Sequence, residues 1–300
     1  MSVSSSILAA AGTAADVTNG AQIGLWEAIV IGIVQGLTEF LPISSTAHVK
    51  VVPVALGWGD PGVAFTATIQ LGSVAAILWY FWDDLRQVTL NAVRATVRGK
   101  FSSPDFQLGL GIVLGTVPIV ICGLAIKLLV PNYDNSIVRS TAAIALTSIV
   151  MALLLGLAEM IGRRQRGFPQ LGLRDGIGVG LAQALALIPG VSRSGSTLTA
   201  GLFMGLERDT AARFSFLLGM PAILISGLVE LKGLLETGLT SSGPIPLIGG
   251  LIAAVISSYL AIAWLIKFLR RHSTWVFVWY RLGFGAVILL GLTTHFLQNV

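Results

Sequence analysis

Charge is what this 300-residue chain has least of: 11% of its residues are Asp, Glu, Lys or Arg, against about 25% in a soluble domain. A shell that faces water on every side cannot be built from so few. Cysteine is almost missing as well. Cys122 stands alone and the histidines number three, which excludes an internal disulfide and any Cys/His metal cluster. Cys122 sits in an apolar run and reads as a small packing side chain. The first 20 residues are Ala-, Ser- and Thr-rich without the basic stretch that opens a secretory signal. They are expected to form a flexible tail, residues 1–22, ahead of a single membrane domain, residues 23–300. The net charge of +5 points to no nucleic acid, because the positive residues sit in short segments between apolar runs.

Long uncharged runs fill the rest. Gly62–Trp82, Phe106–Ile126, Ser140–Ala158 and Thr237–Ile266 carry no charge, and about 20 apolar residues suffice to span a bilayer. The chain therefore reads as an all-α polytopic membrane protein with about six transmembrane helices. Its 35 glycines suit helices that approach closely in lipid. Three loops are basic: Asp83–Asp105, Arg163–Arg174 and Lys267–Ser273. Segments 1–24, 131–138 and 236–246 have no Lys or Arg. Positive residues mark the cytoplasmic side, which places the N-terminus outside. Trp58, Trp79, Trp82, Trp264, Trp275 and Trp279 suit interfacial anchoring or packing. Glu159 and Lys127 are expected to snorkel at span ends, and Glu207, Arg208, Asp209 and Arg213 to form a solvated loop.

The chain also repeats itself at an offset of about 148 residues, as transporter halves do. Glu27–Gln35 aligns with Asp175–Gln183, and Leu41–Ser44 with Ile188–Ser192 after a one-residue slip. Phe65-Thr66 and Gly72 match Phe214-Ser215 and Gly219. Each half, about 23–162 and 171–300, holds one interrupted polar segment and three clean spans. An odd number of spans inverts the second half. Pro42 and Pro189-Gly190 break the interrupted segments, which read as two re-entrant helical hairpins, tolerated where freed backbone faces protein or water. The first would enter from outside, the second from the cytoplasm, with their tips meeting near the midplane. Two kinked spans are the alternative, at the cost of the topology that the charges give.

The hairpins carry the chemistry. Ionisable groups at membrane depth are expensive and mark functional sites. Gln35 and Glu39 lie one helical turn apart on a shared face. With substrate oxygens they suit a divalent cation, Mg²⁺ or Ca²⁺; a Glu bonded to loop backbone is the plainer reading. Ser44, Ser45, Thr46 and His48 follow the break. Serine beside histidine suggests nucleophile and base, and a serine there also suits a helix cap. In the second hairpin, Arg193 lies among Ser192, Ser194, Gly195, Ser196 and Thr197. Arginine binds phosphate bidentately, and a helix starting near Thr197 would aim its positive end at an anion. A structural Arg193–Glu39 tie is the alternative. Gln70, on the following span, is within reach. Together the hairpins suggest phosphoryl chemistry on a substrate with a lipid tail and an anionic head.

Gln35–His48 resembles the E/Q-x-x-x-E region of the bacterial undecaprenyl-diphosphate phosphatase family, the bacitracin-resistance type. Pro189–Thr197 resembles that family's P-G-x-S-R-S-x-x-T motif, and Gln70–Ser73 its Q-L-G-S segment. Phe214–Leu218 also fits, and the resemblance runs from about residue 24 to 297. It implies hydrolysis of undecaprenyl diphosphate to the monophosphate carrier used in cell-wall synthesis, in the bacterial inner membrane, with the site open to the exterior. It implies functional positions for Glu39, Ser45, His48 and Arg193, and a divalent metal on Glu39 and Gln35. Ser45 or a water would attack the terminal phosphorus and His48 would handle the proton. Ser192, Ser194 and Thr197 would join Arg193 in stabilising charge, with Gln35, Ser44, Thr46, Gln70 and Gly195 as further substrate contacts. The family often has Glu where this chain has Gln35, Gly where it has Ala47, and Glu where it has Thr66. A homodimer is compatible with this reading. The rival reading is a lipid-phosphate flippase using the same hairpins, which needs anion recognition but no acid, base or nucleophile.

Overall fold

Glycine and proline decide where these helices stop and how closely they meet. The computed structural model describes residues 23–130, 133, 136–236 and 243–297; the 1–22 tail lies outside them. All regular secondary structure in the described residues is helical. In chain order the helices are α1 (Leu25–Phe40), α2 (Ser45–Ala55), α3 (Val63–Tyr80), α4 (Trp82–Val97), α5 (Pro104–Leu129), α6 (Thr141–Ile161), α7 (Leu173–Ala184), α8 (Arg193–Phe203), α9 (Arg208–Glu236), α10 (Pro244–Leu269) and α11 (Trp275–Thr293). α5, α6, α9, α10 and α11 are long and apolar enough to cross a membrane. α3 supplies a sixth candidate, bending by 74° into α4. The chain is an all-α polytopic membrane protein.

The two interrupted segments fold as helical hairpins, α1–α2 and α7–α8. α1 has 16 residues, roughly 24 Å at 1.5 Å per residue, short of the ~30 Å hydrocarbon core. Glu27 starts it by accepting the Gly24 N–H at 2.7 Å. It ends before Pro42, which disfavours helix at the preceding residue. α7 begins alike, with Asp175 accepting the Gly172 N–H at 3.0 Å. It tightens into a 3₁₀ turn at Leu185–Leu187 and breaks at Pro189-Gly190, where Gly190 has φ +87°.

Each hairpin packs on a helix of the other half through small residues. A Cβ at Gly32 of α1 would lie 2.2 Å from the Gly250 carbonyl oxygen of α10, and one at Gly36 2.7 Å from that of Ala254. A Cβ at Gly176 of α7 would lie 2.3 Å from Gly111 Cα of α5, and one at Gly180 2.3 Å from the Gly115 carbonyl oxygen. These are small-xxx-small crossings that bring backbones together. Beside them a buried cluster joins Phe40, Phe81, Phe214, Phe216, Leu202 and Leu218, with Phe40 edge-on to Phe216 at 5.1 Å.

Five sequence expectations change. Cys122 is exposed rather than packed inside the protein, because its side of α5 faces outward. Residues 83–105 are mostly helix α4 rather than loop, because Leu85 and Val88 pack on the core. α8 starts at Arg193, four residues before the expected point, because the Ser192 side chain caps it by accepting the Gly195 N–H at 3.1 Å. Glu159 does not snorkel. It is buried and accepts hydrogen bonds from Arg164, Arg208 and Thr274, since paired donors make burial tolerable where water is excluded. Arg208 and Arg213 accordingly leave the solvated loop: Arg213 pairs with Asp84 and covers the Phe168 ring at 4.1 Å.

Candidate active site at the meeting of two hairpins

The tips of the hairpins touch. Ser194 Oγ donates to the Leu41 carbonyl at 2.9 Å. Arg281 of α11, 1% exposed, donates to Pro42 O at 3.0 Å, to Gly190 O at 2.7 Å, to Val191 O at 3.1 Å and to Ser148 O at 3.2 Å. One guanidinium thus fixes both turns. Its planar fork of five donors suits convergent carbonyls. The polar motifs do not contain Arg281; its signal in the sequence is a lone charge within an apolar helix.

Glu39 ends α1 and is buried. Its Oε2 accepts from Gln35 Nε2 at 2.9 Å, Ser45 Oγ at 2.7 Å and Gln70 Nε2 at 3.0 Å. Its Oε1 accepts from Arg193 Nη2 at 3.1 Å. Four of the residues singled out in the sequence therefore converge on the Glu39 carboxylate, two from the first hairpin, one from α3 and one from the second hairpin. The ion pair between hairpins is the tie that the sequence left as an alternative. Arg193 also donates Nη1 to the Ser215 carbonyl at 3.3 Å. Gly219 of α9 gives the guanidinium its place: a Cβ there would fall 1.5 Å from Nη1. Ser45, Gln70 and Arg193 are half-buried and Thr46 is exposed, so the carboxylate is covered while its neighbours reach an open side.

The remaining candidates hold the scaffold. Ser192 caps α8 and pairs with Ser194 Oγ at 3.2 Å. Thr197 donates to the Arg193 carbonyl at 2.7 Å and pairs with Ser215 Oγ. Gly195 packs where a Cβ would meet Arg281 Nη1 at 2.8 Å. Ser44 and Ser192 occupy corresponding places before α2 and α8, with φ of 74° and 72°. Positive φ strains a non-glycine residue, and such strain gathers at functional sites. His48 is not joined to Ser45 or Glu39 by a hydrogen bond. Its Nδ1 faces the Ser44 carbonyl at 2.7 Å and its Nε2 the Tyr280 hydroxyl at 2.7 Å, and it stacks on Phe284 at 4.3 Å.

As a metal site, this is one carboxylate flanked by two carboxamides and a hydroxyl. No group of three or more His, Cys, Asp or Glu gathers among the described residues. That donor set fits a hard divalent cation that takes much of its shell from phosphate oxygens and water. The arrangement offers a hydroxyl on a carboxylate, a guanidinium beside them and an open side, which is equipment for an anionic substrate.

Relatives share nearly the whole chain. It is 63% identical over 278 residues to a protein of a Nostoc strain named undecaprenyl-diphosphatase, covering 93% of this chain and 87% of that one. A Synechococcus elongatus protein of the same name is 63% identical over 284 residues, 95% and 99% of the two chains. One from Trichodesmium erythraeum, again so named, is 56% identical over 283 residues, 94% and 91%. The family model described as bacitracin resistance protein BacA matches residues 28–287. With its paired hairpins and the carboxylate between them inside that span, the chain belongs to the BacA family.

Proposed function

We propose that this chain is an undecaprenyl-diphosphatase of the bacterial inner membrane, removing the terminal phosphate from undecaprenyl diphosphate. The observation that carries the site assignment is Ser45 Oγ, 2.7 Å from Glu39 Oε2, with Arg193 on the other carboxylate oxygen. A flippase needs the arginine but not the hydroxyl–carboxylate pair.

The diphosphate draws Arg193 from Glu39 onto its own oxygens, because a guanidinium binds phosphate through two parallel bonds. That frees Glu39 to accept a proton. Ser45, or a water held in its place, gives its proton to Glu39 as its oxygen bonds to the terminal phosphorus. The bond from that phosphorus to the bridging oxygen breaks, and undecaprenyl phosphate leaves with the electron pair. If Ser45 attacks, water then cleaves the phosphoserine. Glu39 rather than His48 takes this proton, because Glu39 has the direct route while His48 holds the Ser44 carbonyl that sets the turn before Ser45. Glu39 and Gln35 would hold a divalent cation, which supplies neutralising charge to the diphosphate. Phosphoryl transfer depends mainly on such positioning and charge.

In this reading the first hairpin opens to the exterior, where the basic-poor segments lie. The two halves are inverted repeats, supported by the matching α1–α10 and α7–α5 crossings. The test is phosphate release from undecaprenyl diphosphate by the purified protein in detergent, with Mg²⁺ and with EDTA, for wild type and Arg193→Ala. Release abolished by the substitution and by EDTA is expected. Well-folded wild type that releases nothing overturns the reading in favour of the flippase.

A further inference from the structure

Helix α4 has a face that no described residue covers. α3 bends into it by 74°, so α4 runs nearly across the direction of the span. Leu85, Val88 and buried Ala95 seat it on the protein. Asn91 Nδ2 donates to Asp105 at 2.8 Å and Asp84 pairs with Arg213, fixing its rotation. At 100° per residue, Trp82, Leu90, Val93 and Val97 fall within about 80° of each other on the opposite side. All four are exposed, Val97 at 82%.

Arg86 lies inside that apolar stripe, Arg94 borders it, and Arg98 and Lys100 follow at the end of the helix. All four are exposed, and no carboxylate pairs with any of them among the described residues. A cleft of ≈ 280 Å³ opens on the polar border, lined by Asp83, Arg86, Gln87, Leu90, Asn91 and Arg94. An apolar stripe bordered by arginines, on a helix lying across the spans, has the form of an interfacial helix. The stripe meets acyl chains, and long arginine side chains reach up to the headgroups.

We propose that α4 is a docking surface for anionic phospholipid, whose headgroup phosphates lie on Arg86, Arg94 and Arg98. A zwitterionic headgroup brings its own cation and gains less from three guanidinium groups. A basic residue near an anionic surface attracts it appreciably, and such attractions accumulate.

The test uses the full chain with Cys122→Ser and Val97→Cys carrying an environment-sensitive dye. It is reconstituted into nanodiscs of phosphatidylcholine with phosphatidylglycerol. In one preparation the phosphatidylglycerol is brominated, in another an equal mole fraction of the phosphatidylcholine. Quenching by brominated phosphatidylglycerol is expected to exceed that by brominated phosphatidylcholine about threefold. Replacing Arg86, Arg94 and Arg98 by Gln should equalise the two while the dye stays quenched. Equal quenching in the unsubstituted protein overturns the anionic preference. No quenching by either lipid overturns the lipid surface itself, leaving the face in water or under another protein. Both outcomes are read without the triple variant, so its folding does not decide the matter.

Discussion

Arg193 owes its place to a side chain that is missing. Gly219 leaves the space in which its guanidinium reaches Glu39 and the Ser215 carbonyl. Gly219→Ala puts a methyl group 1.5 Å from Nη1 and must drive it away. Misplacing a catalytic group by about 1 Å can cost a hundredfold, so kcat/KM for phosphate release should fall about that far. Alanine in a helix interior costs no backbone strain, but parting the Arg193–Glu39 pair should lower the thermal midpoint in detergent modestly. Retained turnover would mean that Arg193 acts from another position. Arg281 gives a second test. Arg281→Met keeps the bulk but leaves the Pro42, Gly190 and Val191 carbonyls without their buried donor. The thermal midpoint should drop, and kcat of the folded protein should fall about tenfold or more as the two turns lose register. Arg281→Lys should not restore it, since one ammonium cannot fork across three carbonyls from two hairpins. Glu39, Ser45 and Arg193 were legible in the sequence because side-chain chemistry names them. Arg281 and Gly219 were not, because one bonds backbone carbonyls and the other contributes empty space, and neither leaves a residue pattern.

The hairpins show what element-level reading can reach. Pro42 and Pro189-Gly190 interrupt apolar runs, and backbone freed at membrane depth needs a partner; from these the breaks follow. Partners for the hairpins do not follow, because a small-xxx-small stripe says that something approaches and not what. The structure supplies the pairs, Gly176 on Gly111 and Gly36 on Ala254. Gly176→Ala drives a Cβ to 2.3 Å from backbone, which cannot move aside as a side-chain tip can. Overpacking of this kind costs about 1–3 kcal/mol, so the thermal midpoint should drop clearly. Gly283→Ala, on α11 with open space around its Cβ, should leave it unchanged or raise it slightly. Equal midpoints for the two variants would refute the close α5–α7 crossing. Helix α4 eluded the sequence reading for a related reason. Its basic residues set it apart as a loop, while its packing stripe of Leu85, Val88 and Ala95 is narrow among polar neighbours.

At the scale of the molecule, the long uncharged helices suit a membrane and the charged residues gather where helices are joined. Arg163, Arg164, Arg166 and Arg174 lie between the halves, and Arg166 is anchored to Asp175 at 2.7 Å. That bond holds the guanidinium above its ordinary pKa and ties the connecting segment to the start of α7. Glu159 gathers Arg164, Arg208 and Thr274 nearby, so α6, the connecting segment, α9 and the start of α11 are bound at one end of the bundle. Glu39 and Arg193 lie where the hairpin tips meet, supplied by opposite halves. If the halves are inverted, α1–α2 returns to the side it came from, and residue 60 shares a side with residue 243. Residues 100, 170 and 272 lie on the other. In a Cys122→Ser background, an impermeant maleimide added to intact cells with a permeable outer envelope should label Asp60→Cys. Lys100→Cys, Gln170→Cys and His272→Cys should react only after the inner membrane is opened. A first hairpin that crossed fully would reverse every later segment, so Lys100→Cys would label in intact cells and Asp60→Cys only after the inner membrane is opened. That result would separate the two hairpins' approaches and leave the Glu39–Arg193 pair without an inverted frame.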